Sequence, residues 1–201
     1  MTSSAPDPYT AAAPAPRPAR HRGHRSGTAA VLVLVAIGAL VAVALGVYGR
    51  LHEPGFFSVN VAGFSSPGAV KSWLATTAFL LALVQLGSAL VMWGKVPRVV
   101  APSWIGGLHR WSGRLAVLAT VPVAVHCLYA LGFDASSPRT LVHSLFGCFF
   151  YGVFVTKMLV LSRKDMPGWA LPVIGGLTFS ALTALWLTSA VWFFTTTGLT
   201  F

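Results

Sequence analysis

Residues 28–49 read TAAVLVLVAIGALVAVALGVYG, a run of 22 residues with no charged side chain. A helix needs about 20 apolar residues to cross the hydrocarbon core of a bilayer, and this run has that length. It exceeds the roughly 7–15 residues of a signal-peptide apolar core, and no A-x-A-type cleavage site follows it directly. The stretch is therefore expected to be a retained signal anchor, and it sets the fold class of everything downstream.

Four further apolar runs follow, at 72–94, 111–133, 140–161 and 171–194, each 22 to 24 residues long. The expected fold is all-α, an integral membrane five-helix bundle over residues 28–195. Twelve of the thirteen prolines fall in the N-terminal segment, in loops or in the first turn of a span; Pro122 is the exception. Trp73, Trp93, Trp111, Trp169 and Trp192 lie near span ends, as an interfacial aromatic belt requires.

Composition agrees. Of 201 residues, 55% are hydrophobic and 9% charged, and the mean hydropathy is +0.74. That balance excludes a soluble enzyme, a disordered protein and a nucleic-acid module. The net charge of +10 arises from only four acids against fourteen Lys and Arg. In a membrane protein such an excess is a topological signal and needs no polyanionic partner. Two cysteines without a CxxC spacing argue against a thiolate-bound zinc or iron–sulfur site. Residues 1–27, MTSSAPDPYTAAAPAPRPARHRGHRSG, hold five prolines and few apolar side chains beyond alanine, so a disordered basic tail is expected there.

Basic residues set the orientation. Arg17, Arg20, Arg22, Arg25, Lys95, Arg98, Arg110, Arg163 and Lys164 fall on one side of the membrane; Arg50, Lys71 and Arg139 fall on the other. The N-terminus is expected in the cytoplasm and the C-terminus outside the plasma membrane. No loop much exceeds twenty residues, and there is no G-x-G-x-x-G, Walker motif or internal repeat. Any chemistry must therefore occur in the bundle or at its edges.

Ionisable side chains are expensive inside a bilayer and mark candidate function. His126 stands seven residues before the end of the third run, about 10 Å below it. His143 stands four residues after Arg139, about 6 Å below the same face. The short connection between the runs predicts antiparallel neighbours. Two imidazoles at similar depth on adjacent helices can ligate one iron, the way a helix bundle holds haem b. Val123, Thr120, Ala116, Gly113 and His109 are expected on the inward side of the third run with His126, and at 100° per residue Gly147, Phe150, Phe154 and Lys157 share a face with His143. Gly113, Thr120 and Gly147 are small enough to admit a flat cofactor. Small residues and buried histidines also make ordinary interhelical contacts. A zinc or copper site would need His52 and Glu53 to join the pair. His109 has no histidine opposite it, so a second bis-His haem is unsupported; with Arg110, Trp111 and Arg114 it reads as a headgroup anchor or as a quinone or propionate contact. Lys157 is expected to snorkel inward, and Cys127 and Cys148 to be free thiols. Gln85, Thr178, Ser180, Thr183, Thr188 and Ser189 are expected to hydrogen-bond between helices.

The stretch LHRWSGRLAVLATVPVAVHCLYALGF, residues 108–133, resembles the membrane haem helices of ferric-reductase-like and diheme cytochrome b families. The likeness extends over about residues 105–160. It implies a haem-ligating role for His126 and, by extension, His143; the inner ligand pair of the diheme proteins is missing. The whole chain also resembles a group of five-span actinobacterial membrane proteins, with an Ala/Val/Leu/Gly/Arg bias that fits a GC-rich genome.

The expectation is a membrane protein holding one haem b through His126 and His143. It would pass electrons between a membrane donor such as quinol and an external redox partner or another membrane subunit, because it has no flavin or nicotinamide domain of its own. Two rivals stand beside it. One is a cofactor-free accessory subunit of a larger membrane complex. The other is a small permease, disfavoured by the lack of embedded carboxylates and inverted repeats.

Overall fold

The computed structural model describes residues 23–61 and 63–201, with side chains from Gly27 onward. The expected disorder of the tail falls mostly on residues outside that range. The described residues form helices joined by loops, with no strand among them, and five helices are long and apolar enough to span a membrane. They are α1 (Gly23–Leu51), α2 (Pro67–Met92), α3 (Ile105–Val125), α4 (Pro138–Leu161) and α5 (Ala170–Trp186). A π-helical segment, His126–Leu131, continues α3. Another, Leu187–Val191, continues α5 and leads into the short α6 (Trp192–Thr197). Both spans therefore run on, to Leu131 and Thr197.

Local sequence explains the boundaries. Ser66 caps α2, its hydroxyl accepting from Ala69 N–H at 3.1 Å, with Pro67 in the first turn where no N–H is needed. Ser137 and Thr140 form a capping box at α4, followed by Pro138. Gly132 ends the third span and Gly198 the fifth, each at positive φ. Pro122 does not break its helix. His126, four residues later, sends its N–H towards both Pro122 O and Val123 O, and the π segment starts there. A proline inside a helix removes a backbone donor, and a π turn is one way the chain absorbs the disturbance.

The face reached by the C-terminal end of α1 is called distal here, and the opposite face proximal. At the distal face Phe133 N–H donates to Gly49 O at 2.7 Å, and Phe56 N–H donates to Ala130 O at 3.0 Å. The end of the third span thus satisfies a carbonyl of α1, and the loop after α1 satisfies one of the third span. The C-terminus returns to the same face: Trp73 Nε1 donates to Thr200 O at 2.9 Å, and Phe201 stacks on Trp73 at 4.7 Å.

α4 is the hub. It packs against α1 on one side and α5 on the other, while α3 packs mainly against α2. Val31, Leu34, Val160, Ala170 and Ile174 bury one apolar cluster between α1, α4 and α5. Ala82, Phe150, Ala181 and Leu182 bury a second between α2, α4 and α5. The expected packing of α3 on α4 is not found. The two run antiparallel, but their backbones stay apart and side chains bridge the seam, with Tyr151 O–H donating to Thr120 Oγ1 at 3.1 Å. A short loop brings two helix ends together; it does not decide which faces meet, and the small-residue stripes here favour α1–α4 and α2–α3. The outer face of α1 is left to lipid, with Leu32 64% and Leu40 69% exposed.

Candidate functional site

The distal ends of α2, α3, α4 and α5 carry Lys71, His126, His143 and Thr188, side chains that the bilayer makes expensive. His143, on the second turn of α4, places Nδ1 3.0 Å from Thr188 Oγ1 in the π segment after α5. The Thr188 hydroxyl also lies 2.7 Å from Ala184 O. A hydroxyl has one proton, and the carbonyl is a pure acceptor. Giving that proton to Ala184 O makes Nδ1–H the donor to Thr188 and leaves the lone pair on Nε2. Such anchoring of one ring nitrogen is how a protein presents the other to a metal. Thr188 is itself held: Arg139 Nη1 donates to its carbonyl at 2.9 Å, and the guanidinium lies 3.8 Å over the Trp192 ring. The π geometry displaces helix carbonyls from their usual partners, and Arg139 takes this one.

His126 opens the other π segment and faces a cleft of about 290 Å³ between α2, α3 and the 54–66 loop. Phe57 meets the imidazole edge-on at 5.8 Å. Lys71, from α2, lines the same cleft. The two histidines thus belong to one distal region, each beside a π segment. π segments make up well under 1% of residues in proteins and occur often at functional sites.

The other expected site residues divide. Thr120 is in the α3–α4 seam, accepting from Tyr151 and donating to Val117 O at 2.7 Å. Gly147 has an open side, its nearest neighbour a Leu185 methyl 3.9 Å from where a Cβ would stand. Gly113 faces away, towards α2, where a Cβ would meet Gln85 at 3.0 Å. This corrects the expected shared face: Gly113 is thirteen residues from His126, about 140° around an ideal α-helix, so the two residues point different ways.

His52 does not join a metal set. Its Nε2 contacts Tyr129 O at 3.1 Å, and its ring is stacked between Tyr48 and Tyr129. No group of three His, Cys, Asp or Glu able to hold a metal occurs among the described residues. Cys127 and Cys148 are free thiols. His109 turns inward instead of anchoring at the headgroups: its Nδ1 is 2.8 Å from Ser88 Oγ, while Gln85 Nε2 donates to both His109 O and Ser112 Oγ. Sequence inspection singled out Gln85 as interhelical but missed Ser88 and Ser112, which look like small packing residues until α2 and α3 are docked. Of the expected hydroxyl bridges, Thr188 crosses between helices. Thr178, Thr183 and Ser189 donate to Ile174 O, Phe179 O and Leu185 O of their own helix. In a water-free setting the carbonyl four residues back is the nearest acceptor.

Residues 27–201 match the model of a family of unknown function, DUF6529, and the chain belongs to that family. No curated protein and no solved structure matches. The family description carries no activity, and the likeness to ferric-reductase-like or diheme cytochrome b proteins gains nothing from it.

Proposed function

We propose that this member of DUF6529 is a multi-pass plasma-membrane protein that holds one haem b near its distal face, with His126 and His143 as axial ligands. The observation that supports the proposal is the hydrogen bond between His143 Nδ1 and Thr188 Oγ1; with Nδ1 as its donor, Nε2 would be the ligating nitrogen. The residues present fit the group in part. Gly147 is open beside His143 and Thr120 lies in the α3–α4 seam, whereas Gly113 packs on Gln85 and plays no part. Bound haem would supply one-electron redox chemistry; the chain would supply ligands, a dry pocket and the axial field. A quinol in the bilayer fits as donor and an external protein, or another membrane subunit, as acceptor. The Lys and Arg asymmetry supports a cytoplasmic N-terminus, which makes the distal face external.

The test is the reduced-minus-oxidised spectrum and haem content of the purified chain. Wild type should contain haem; His126→Ala and His143→Ala should each lose it, and His109→Ala should retain it. Wild-type occupancy in His143→Ala would sink the ligand pair. Loss in His109→Ala alone would move the site to the proximal half.

A second reading has its own observation. His109 and His143 both hydrogen-bond a hydroxyl on a neighbouring helix, which is also how a histidine serves packing alone. A well-folded wild type free of haem would favour a cofactor-free accessory subunit.

A further inference from the structure

The cleft beside His126 has a lining that histidine ligation does not explain. Val70 and Leu74 of α2, Pro122 and Val123 of α3, and Phe57 and Val59 of the loop form apolar walls. Lys71 is the one permanently charged group among its lining residues. The chain has four acids in all: Asp7, Glu53, Asp134 and Asp165. None forms an ion pair with Lys71 among the described residues. Lys71 also sits just inside the N-terminal end of α2, whose first turn contains no acid. That end of the helix dipole disfavours a cation and stabilises an anion. The loop above the cleft exposes apolar side chains, Phe56 at 77% and Val59 at 60%, at the level where the spans end. An apolar slot at the membrane boundary, with an unpaired ammonium at its wall and a helix N-terminus behind it, lacks one component: an anion that carries hydrocarbon.

We propose that the cleft between α2, α3 and the 54–66 loop is a binding site for an anionic phospholipid of the distal leaflet, its phosphate on Lys71 and part of an acyl chain along Val70, Leu74, Pro122 and Val123. The proposal does not require haem, although His126 lines the same cleft, and haem content is read separately from lipid retention. A quinone would use the apolar walls but brings no charge for Lys71, and free phosphate would use Lys71 but not the walls.

The experiment is native mass spectrometry of the full chain, delipidated in a neutral detergent and offered phosphatidylglycerol, phosphatidylcholine or menaquinone, with inorganic phosphate as competitor. Wild type should retain phosphatidylglycerol over phosphatidylcholine by roughly fivefold, the factor that one lysine contributes at an anionic surface. Lys71→Gln should lose the preference. Lys71→Arg should keep it, as should Lys95→Gln, whose lysine lies in the α2–α3 loop at the other face. Val123→Phe, which narrows the slot without touching the charge, should lower retention of phosphatidylglycerol. An unchanged preference in Lys71→Gln would overturn the proposal, as would displacement of phosphatidylglycerol by menaquinone, or competition by phosphate alone at equal concentration. If Lys71→Gln does not fold, Lys71→Arg and Val123→Phe still decide it: equal retention of both lipids in Lys71→Arg, or undiminished retention in Val123→Phe, counts against it.

Discussion

At the scale of single residues, Thr188 is the one most worth changing. Its hydroxyl fixes the Nδ1 side of His143. Outer-shell partners of this kind are worth about 10–100-fold in metal affinity. Thr188→Val should therefore lower haem retention by at least about tenfold while leaving the helical content unchanged, and Thr188→Ser should restore it. Haem content against far-ultraviolet circular dichroism checks both. A second residue-scale expectation concerns Asp134, in the α3–α4 turn outside the spans. Ser136 N–H donates to its Oδ1 at 2.8 Å, and this hydrogen bond holds the carboxyl below the usual aspartate range. A depressed value means the turn gains stability from the ionised form. The gain is complete above the ordinary aspartate value of about 3.9 and fades as pH falls through the lower folded value. The Tm of wild type should drop on acidification from about pH 5 to about pH 3, and Asp134→Asn should show a smaller drop.

At the scale of elements, α1 is attached mainly through its seam with α4. A Cβ at Gly152 would stand 2.8 Å from Ala42 Cβ, and one at Gly38 would run into Gly152 O and Thr156 Oγ1. Only glycine lets these backbones approach so closely, as small residues do at membrane helix interfaces. Thr156 Oγ1 then reaches Leu34 O at 3.3 Å across the contact. Gly152→Leu should pry α1 from α4 at a cost of about 1–3 kcal/mol or more. Proximity gives the readout. A Cβ at Gly46 would lie 3.7 Å from Cys148 Sγ, so Gly46→Cys should cross-link to Cys148 under mild oxidant. Adding Gly152→Leu should abolish that cross-link. A cross-link that survives would mean α1 is held by something other than the glycine seam.

At the scale of the whole molecule, topology and closure can be tested apart from chemistry. The basic asymmetry predicts that protease added to intact cells spares a tag at residue 1 and removes one after Phe201. Deleting residues 2–20 should leave insertion and cofactor content unchanged, because Arg22 and Arg25 remain. Deleting residues 198–201 should lower Tm measurably, since it removes the Trp73–Thr200 hydrogen bond and the Trp73–Phe201 stack that tie the C-terminus to α2.

The number, length and class of the spans were legible along the chain, because crossing hydrocarbon is a requirement on each helix separately and every segment must meet it in its own sequence. The caps at Ser66 and Ser137 are local too, although only the structure showed them. His126 and His143 stood out for the same reason: their cost in a bilayer does not depend on neighbours. Helix pairing was another matter. Apolar faces of membrane helices look alike, and lipid does not drive one against another, so the choice of α1 for α4 and α2 for α3 fell to close glycine contacts and a few polar bridges between distant positions. That choice turned Gly113 towards Gln85, His109 towards Ser88 and His143 towards Thr188. Each is a contact over twenty residues or more, where the hydrogen-bonding partner exists only once the helices have docked.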